Sequence, residues 1–123
     1  LHLCSGSVKS GITVDIRKET GPKIVADARK VPLKDGSFDW ILIDPPYTRE
    51  YAKNLYGTEK VYPRPGELLR EANRLLRPGG RVGILHFQVP LSRKPLKMIG
   101  TYGITTGSGY AIRVFTLFEK EPK

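Results

Sequence analysis

A single cysteine, Cys4, in 123 residues leaves no intrachain disulfide and no cysteine-rich zinc site, so no metal centre is expected and the cytoplasm is the expected compartment. Long hydrophobic runs are missing as well. The longest uninterrupted aliphatic or aromatic stretch is residues 40–43, far short of the roughly 20 residues that a membrane-spanning helix needs, and no membrane partner is expected. Nor does the start read as a signal peptide, because polar and glycine residues arrive by position 5. Length is scarce too: 13.8 kDa bounds the chain to one domain, residues 1–123, with one core and no separate recognition domain. Internal repeats and low-complexity stretches are absent.

Acidic residues are the next shortage, 12 Asp plus Glu against 21 Lys plus Arg, for a net charge of +9. The excess favours a polyanionic partner through neutralisation of phosphates, although it serves solubility equally well. It is unevenly placed. Residues 1–61 hold 10 basic and 8 acidic side chains, whereas residues 62–123 hold 11 basic and 4 acidic ones, so the second half carries the basic surface.

What is present is a series of short apolar runs bounded by turn residues, at 1–4, 12–16, 24–26, 40–43 and 82–87, which read as buried parallel strands. Between residues 67 and 77, Leu68, Leu69, Ala72, Leu75 and Leu76 recur at helical spacing, and Pro78-Gly79-Gly80 is the expected stop. A weaker helix is expected over 49–56, ended by Gly57. Residues 97–104 and 110–120 read as two strands around Thr106-Gly107-Ser108-Gly109, where a hairpin turn is preferred over a phosphate loop. The expected fold is α/β: a Rossmann-like, mostly parallel sheet with an antiparallel C-terminal hairpin and reduced helices on one face. The reduction follows from residues 5–11 and 17–23, two connections too short for crossover helices. Seven extended residues still reach roughly 23 Å, enough to run back along a strand of about 15 Å. One sheet face should then be bare and apolar, to be covered by another chain or by residues N-terminal to Leu1, and a homodimer is expected.

The most informative stretch is Phe38-Asp39-Trp40-Ile41-Leu42-Ile43-Asp44-Pro45-Pro46-Tyr47. A strand delivers Asp-Pro-Pro-Tyr at its carboxyl end, where open α/β sheets bind ligands. The prolines hold the backbone extended and remove N–H donors, which leaves carbonyls facing the site. A carboxylate and a proline carbonyl can accept both hydrogens of an exocyclic amine while a flat ring stacks on the attached heterocycle.

Asp44-Pro45-Pro46-Tyr47 resembles the catalytic motif of class I S-adenosylmethionine-dependent methyltransferases that act on planar amines, notably the DNA adenine-N6 and cytosine-N4 enzymes. Leu1-His2-Leu3-Cys4-Ser5-Gly6-Ser7 is similar to the first-strand cofactor loop, and Val14-Asp15-Ile16 to the second strand ending in the acid that holds ribose hydroxyls. Val25-Ala26-Asp27-Ala28 is similar to the third-strand segment whose acid contacts the adenine amine. Residues 31–39 and 71–80 resemble the segments before the fourth and fifth strands, in the family's order. The resemblance implies a cofactor, S-adenosylmethionine, at Leu3, Cys4, Ser5, Gly6, Asp15, Asp27 and Ala28, and catalysis by Asp44, Pro45, Pro46 and Tyr47. It implies methyl transfer to an exocyclic amine of a nucleic-acid base, DNA before RNA, without a covalent intermediate on Cys4. The same chemistry on RNA guanine-N2 or a protein glutamine, and a noncatalytic cofactor- or nucleic-acid-binding subunit, are the alternatives. The first loop departs from the family by lacking a second glycine.

Other residues carry two readings. Asp15 and Asp27 could simply terminate buried strands, and Tyr51 and Tyr56 could line a base pocket or pack a helix. Trp40 reads as core rather than base-stacking, and His86 as a packed histidine rather than a catalytic one. Arg64, Arg70, Arg74, Arg77 and Arg81 track a phosphate backbone or form a solvated face.

Overall fold

The computed structural model describes residues 1–46, 50, 53 and 62–122. The elements are β1 (His2–Leu3), β2 (Thr13–Asp15), a 3₁₀ turn at Lys18–Thr20, β3 (Ile24–Val25), β4 (Phe38–Ile43), α1 (Pro65–Leu75), β5 (Leu76–His86), β6 (Leu96–Ile104) and β7 (Arg113–Lys120). They form one seven-stranded sheet in the order β3-β2-β1-β4-β5-β7-β6. The five strands from β3 to β5 run parallel, and β7 pairs antiparallel with both β5 and β6. This is the expected mostly parallel sheet with an antiparallel C-terminal hairpin, β7 lying inside and β6 forming the edge. Among the described residues no helix is long and apolar enough to cross a membrane.

The central rows of the sheet explain the core. Leu3 registers with Val14 on one side and Ile43 on the other, and Ile43 with Ile84, so these side chains share one face. Against that face α1 lays Leu68, Leu69, Ala72 and Leu75, all buried. Each fully buried leucine contributes about 1.5–3 kcal/mol. The helix runs two residues earlier than its apolar spacing suggests, from Pro65 rather than residue 67. Proline is tolerated in the first turn, and Glu67 Oε1 accepts the Arg64 N–H at 3.1 Å. It also stops before Pro78-Gly79-Gly80. The N–H groups of Gly36 and Ser37 donate to the carbonyls of Arg74 and Leu75, and Lys120 Nζ donates to those of Asn73 and Leu76. These contacts satisfy the helix end and release Leu76 into register with Phe38. The weaker helix expected over 49–56 lies outside the described residues, apart from Glu50 and Lys53, which are helical.

Both short crossovers are free of α-helix, as expected; the second holds one 3₁₀ turn ended by Gly21. Lys9 Nζ ties the two together by donating to the carbonyls of Thr20 at 2.5 Å and Gly21 at 3.0 Å. The opposite sheet face leaves part of its apolar surface exposed. Leu42 and Val25 are exposed there, and so is Trp40, at 52%. The core expectation for Trp40 is thus corrected. Ile41 and Ile43 take the helix side, strand alternation turns Trp40 and Leu42 outward, and the Arg81 guanidinium lies 5.6 Å from the Trp40 ring centroid. Farther along this face the Phe115 ring lies so close over Gly83 that a Cβ there would meet it at 2.2 Å.

The connection ahead of β4 is held by side chains. Glu71, buried in α1, accepts the Val31 N–H at 2.5 Å, and Arg74 Nε at 2.7 Å. Arg74 also donates to the carbonyls of Val31 and Leu33 and to the Asp35 carboxylate. Burial acts against the ionised form of Glu71, but the Arg74 and Val31 hydrogen bonds outweigh it and hold its carboxyl below the usual glutamate range. Glu71→Ala strands these donors and should cost about 2–4 kcal/mol in urea unfolding. Because the folded pKa is depressed, the contribution is full above the ordinary glutamate pKa and fades as pH falls through the folded value. Wild type and variant should therefore converge in stability in acid; a difference independent of pH contradicts this role.

Candidate functional site

The carboxyl ends of the four parallel strands β1 to β4 converge. Strand β1 ends in a left-handed turn, with φ +56° at Cys4 and φ +54° at Gly6. Cysteine occupies a conformation that ordinarily favours glycine, a strained arrangement of the kind that clusters at functional sites. Asp15, at the end of β2 and 2% exposed, braces the turn: Oδ2 accepts the Gly6 N–H at 2.8 Å. Its Oδ1 accepts the Arg17 N–H at 2.8 Å and Arg17 Nε at 3.3 Å. Ser5 is buried, its N–H donates to the Val14 carbonyl at 3.0 Å, and its hydroxyl has no hydrogen-bond partner among the described residues. A buried hydroxyl in this turn and a buried carboxylate at the end of the next strand have the donor and acceptor chemistry that a ribose or an amino-acid group would complete.

Asp27 follows β3. Its carboxylate is gripped by Arg29, with Nε to Oδ1 at 3.0 Å and Nη2 to Oδ2 at 2.6 Å, and it also accepts the Arg29 N–H. The Arg29 side-chain hydrogen bonds hold its carboxyl below the usual range against partial burial. Cys4, Asp15, Asp27 and Ala28 line one hollow, together with Ile16, Ala26 and Pro63. The hollow is about 10 Å³, room for a single water, and it opens to the surface. Its carboxylates fit the hydroxyl and amine donors of a nucleoside cofactor. Leu3 stands apart from the hollow. Its side chain is in the core and its carbonyl accepts the Asp44 N–H at 3.3 Å.

Asp44 is exposed at the end of β4, while Pro45 and Pro46 behind it are buried. The proline pair thus fixes the backbone on which an accessible carboxylate is presented. Tyr47, Tyr51 and Tyr56 lie outside the described residues. His86 is buried at the end of β5, and its Nδ1 accepts the Gln88 N–H at 3.2 Å. It packs and shapes the exit from β5, and burial lowers its pKa. Residues 107–109 form the turn between β6 and β7, where Thr105 Oγ1 and the Gly107 N–H and carbonyl close a local ring of hydrogen bonds. Among the described residues no group of three or more His, Cys, Asp or Glu could hold a metal ion. Sequence reasoning did not reach Arg17, Arg29 or Pro63. The two arginines each stand two residues after an acid, a spacing that could have signalled a brace; Pro63 arrives from a distant segment with no local signal.

Residues 9–84 match the family described as methyltransferase domain. The chain is 30% identical over 88 residues to a demethylmenaquinone methyltransferase of Mycolicibacterium vanbaalenii, an alignment that covers 72% of this chain and 31% of that protein. It therefore spans about a third of the length of that relative. A S-adenosylmethionine-dependent methyltransferase structure from Methanosarcina mazei superposes with a TM-score of 0.65 at 12% identity, over 99% of this chain and 92% of the other. The 1,6-didemethyltoxoflavin-N1-methyltransferase of Burkholderia thailandensis, solved with S-adenosylhomocysteine, gives 0.54 at 13% identity, over 89% of this chain and 60% of the other.

Cys4 lines the hollow and is half-buried. Burial first, then the fields of Asp15, Asp44 and Asp27, push the thiol pKa far up, with Arg17 opposing. The native protein should resist iodoacetamide at pH 8 and label fully only in denaturant. Labelling of the native state at the rate of a free thiol contradicts a protonated Cys4.

Proposed function

The chain belongs to the methyltransferase-domain family, and from that premise we propose that it transfers a methyl group from S-adenosylmethionine to an exocyclic nitrogen of a nucleic-acid base. The observation that carries this reading is Asp44, exposed on a buried proline pair, beside the hollow built from the ends of β1 to β3. S-adenosylmethionine, when bound, supplies an electrophilic methyl on a sulfonium. Asp15 accepts the ribose hydroxyls, and the Ser5 hydroxyl and the turn at Cys4 and Gly6 face the remainder of the cofactor. Asp27 and Ala28 border the adenine. These roles follow the donor set and the resemblance of the three segments.

Asp44 and the Pro45 carbonyl accept the two hydrogens of the target amine, which turns its lone pair away from the ring and toward the donor. Pro46 keeps that carbonyl aimed by holding the backbone extended. Tyr47 stacks on the heterocycle. No side chain forms a covalent intermediate, in keeping with the raised pKa of the Cys4 thiol. A base inside a duplex has to be flipped out at a cost of a few kcal/mol, so single strands are the better substrate.

A second reading keeps the cofactor and changes the acceptor to a small aromatic molecule. It is favoured by the relatives named for demethylmenaquinone and for N1 of didemethyltoxoflavin. Transfer of labelled methyl to single-stranded oligonucleotides, compared with a panel of small cyclic amines and quinones, separates the two. On the accepted substrate Asp44→Ala should lower kcat by about 10²–10³, as loss of a positioned polar group does, while cofactor affinity stays within about twofold. An unchanged rate contradicts the assignment.

A further inference from the structure

The five arginines at positions 64, 70, 74, 77 and 81 do not form one track. Arg74 is consumed by Glu71, Asp35 and two carbonyls, Arg77 pairs with Asp39 at 3.2 Å, and Arg81 pairs with Glu119 at 2.9 Å. Arg64 and Arg70 have no carboxylate within ion-pair distance among the described residues. Both line a cleft of about 530 Å³ between the first turns of α1 and the connection from β5 to β6. Across it stand Arg93 and Lys94, also without a carboxylate partner among the described residues. Four unneutralised cations thus face one concave surface whose floor includes the buried Leu69 and Leu96. The one acid on its wall among the described residues, Glu67, accepts the Arg64 N–H and lies 3.9 Å from Arg29.

The position of the cleft decides what it serves. β4 and β5 run parallel with Ile43 beside Ile84, so Asp44 leaves the sheet at the same edge as His86. The cleft wall begins two residues later in the chain, at Gln88, directly after the partly exposed Phe87. Cations along a groove with an exposed aromatic beside it are the pattern by which single-stranded nucleic acids are held: phosphates in the groove, bases against rings.

We propose that the cleft formed by Arg64, Arg70, Arg93 and Lys94 holds the phosphodiester backbone flanking the nucleotide whose base lies at Asp44. The inference rests on the nucleic-acid reading of the substrate. It gives the positive charge of the second half of the chain a location and separates the arginines that bind from those that build.

The test is fluorescence anisotropy of a labelled single-stranded DNA oligonucleotide between 50 and 200 mM salt, on wild type, Arg70→Ala/Arg93→Ala and Arg77→Ala/Arg81→Ala. Each lost phosphate contact on a single strand flattens the log–log salt slope by about 0.7. The cleft pair should flatten it by about 1.4 and weaken binding roughly tenfold, whereas the ion-paired control, with the same charge removed, should keep the wild-type slope. Equal slopes in both variants, or a larger change in the control, overturn the assignment. Methyl transfer to the same oligonucleotide, measured in parallel, reports on the substrate reading by itself. Transfer with binding unaltered in the cleft variant overturns the cleft alone, and absence of both binding and transfer removes both.

Discussion

Asp15 stands at the end of β2 with both carboxylate oxygens engaged, one by the Gly6 N–H of the neighbouring turn and the other by Arg17. In a parallel sheet a crossover helix ordinarily follows the first strand and holds the loop at its end. Here that crossover contains no α-helix, and a buried side chain does the holding. The hydrogen bonds to Gly6 and Arg17 each satisfy a backbone donor that would otherwise be stranded, at about 1–3 kcal/mol apiece. The left-handed turn at Cys4 and Gly6 persists because this brace fixes it from the next strand. Asp15 also lines the hollow that Cys4, Asp27 and Ala28 share.

The loss of helices has a second consequence, on the opposite surface. α1 covers one face through Leu68, Leu69, Ala72 and Leu75, and the other carries Trp40 and Leu42 in the open. The chain compensates locally rather than with another layer. Arg81 lies over the Trp40 ring and pairs with Glu119, and the Phe115 ring folds down on Gly83. Such contacts shield apolar surface from water without supplying a core, so stability is concentrated on the α1 side, where Glu71 and Arg74 anchor the approach to β4.

Much of this was legible in the residues. The alternation of short apolar runs marked the parallel strands; of the acids that follow three of them, Asp15 and Asp27 line one hollow and Asp44 stands exposed at the end of β4. The seven-residue connections pointed to apolar exposure on one face, and Trp40, Leu42 and Val25 are exposed there. Periodicity could not say which member of each alternating pair faces the helix, and so Trp40 was misplaced. Nor could it separate the arginines by role. Asp35, Asp39 and Glu119, which neutralise three of them, lie 38 or 39 positions away in the chain, and only the fold brings them together. Pro63, over the hollow, was hidden for the same reason.

The central claim, a cofactor site organised by the Asp15 brace, is tested most directly by calorimetric titration of the protein with S-adenosylmethionine, repeated on Asp15→Ala with circular dichroism to confirm that the sheet persists. Micromolar binding that the folded variant weakens at least tenfold is the predicted result. Binding of equal strength in the variant, or none in the wild type, contradicts the account.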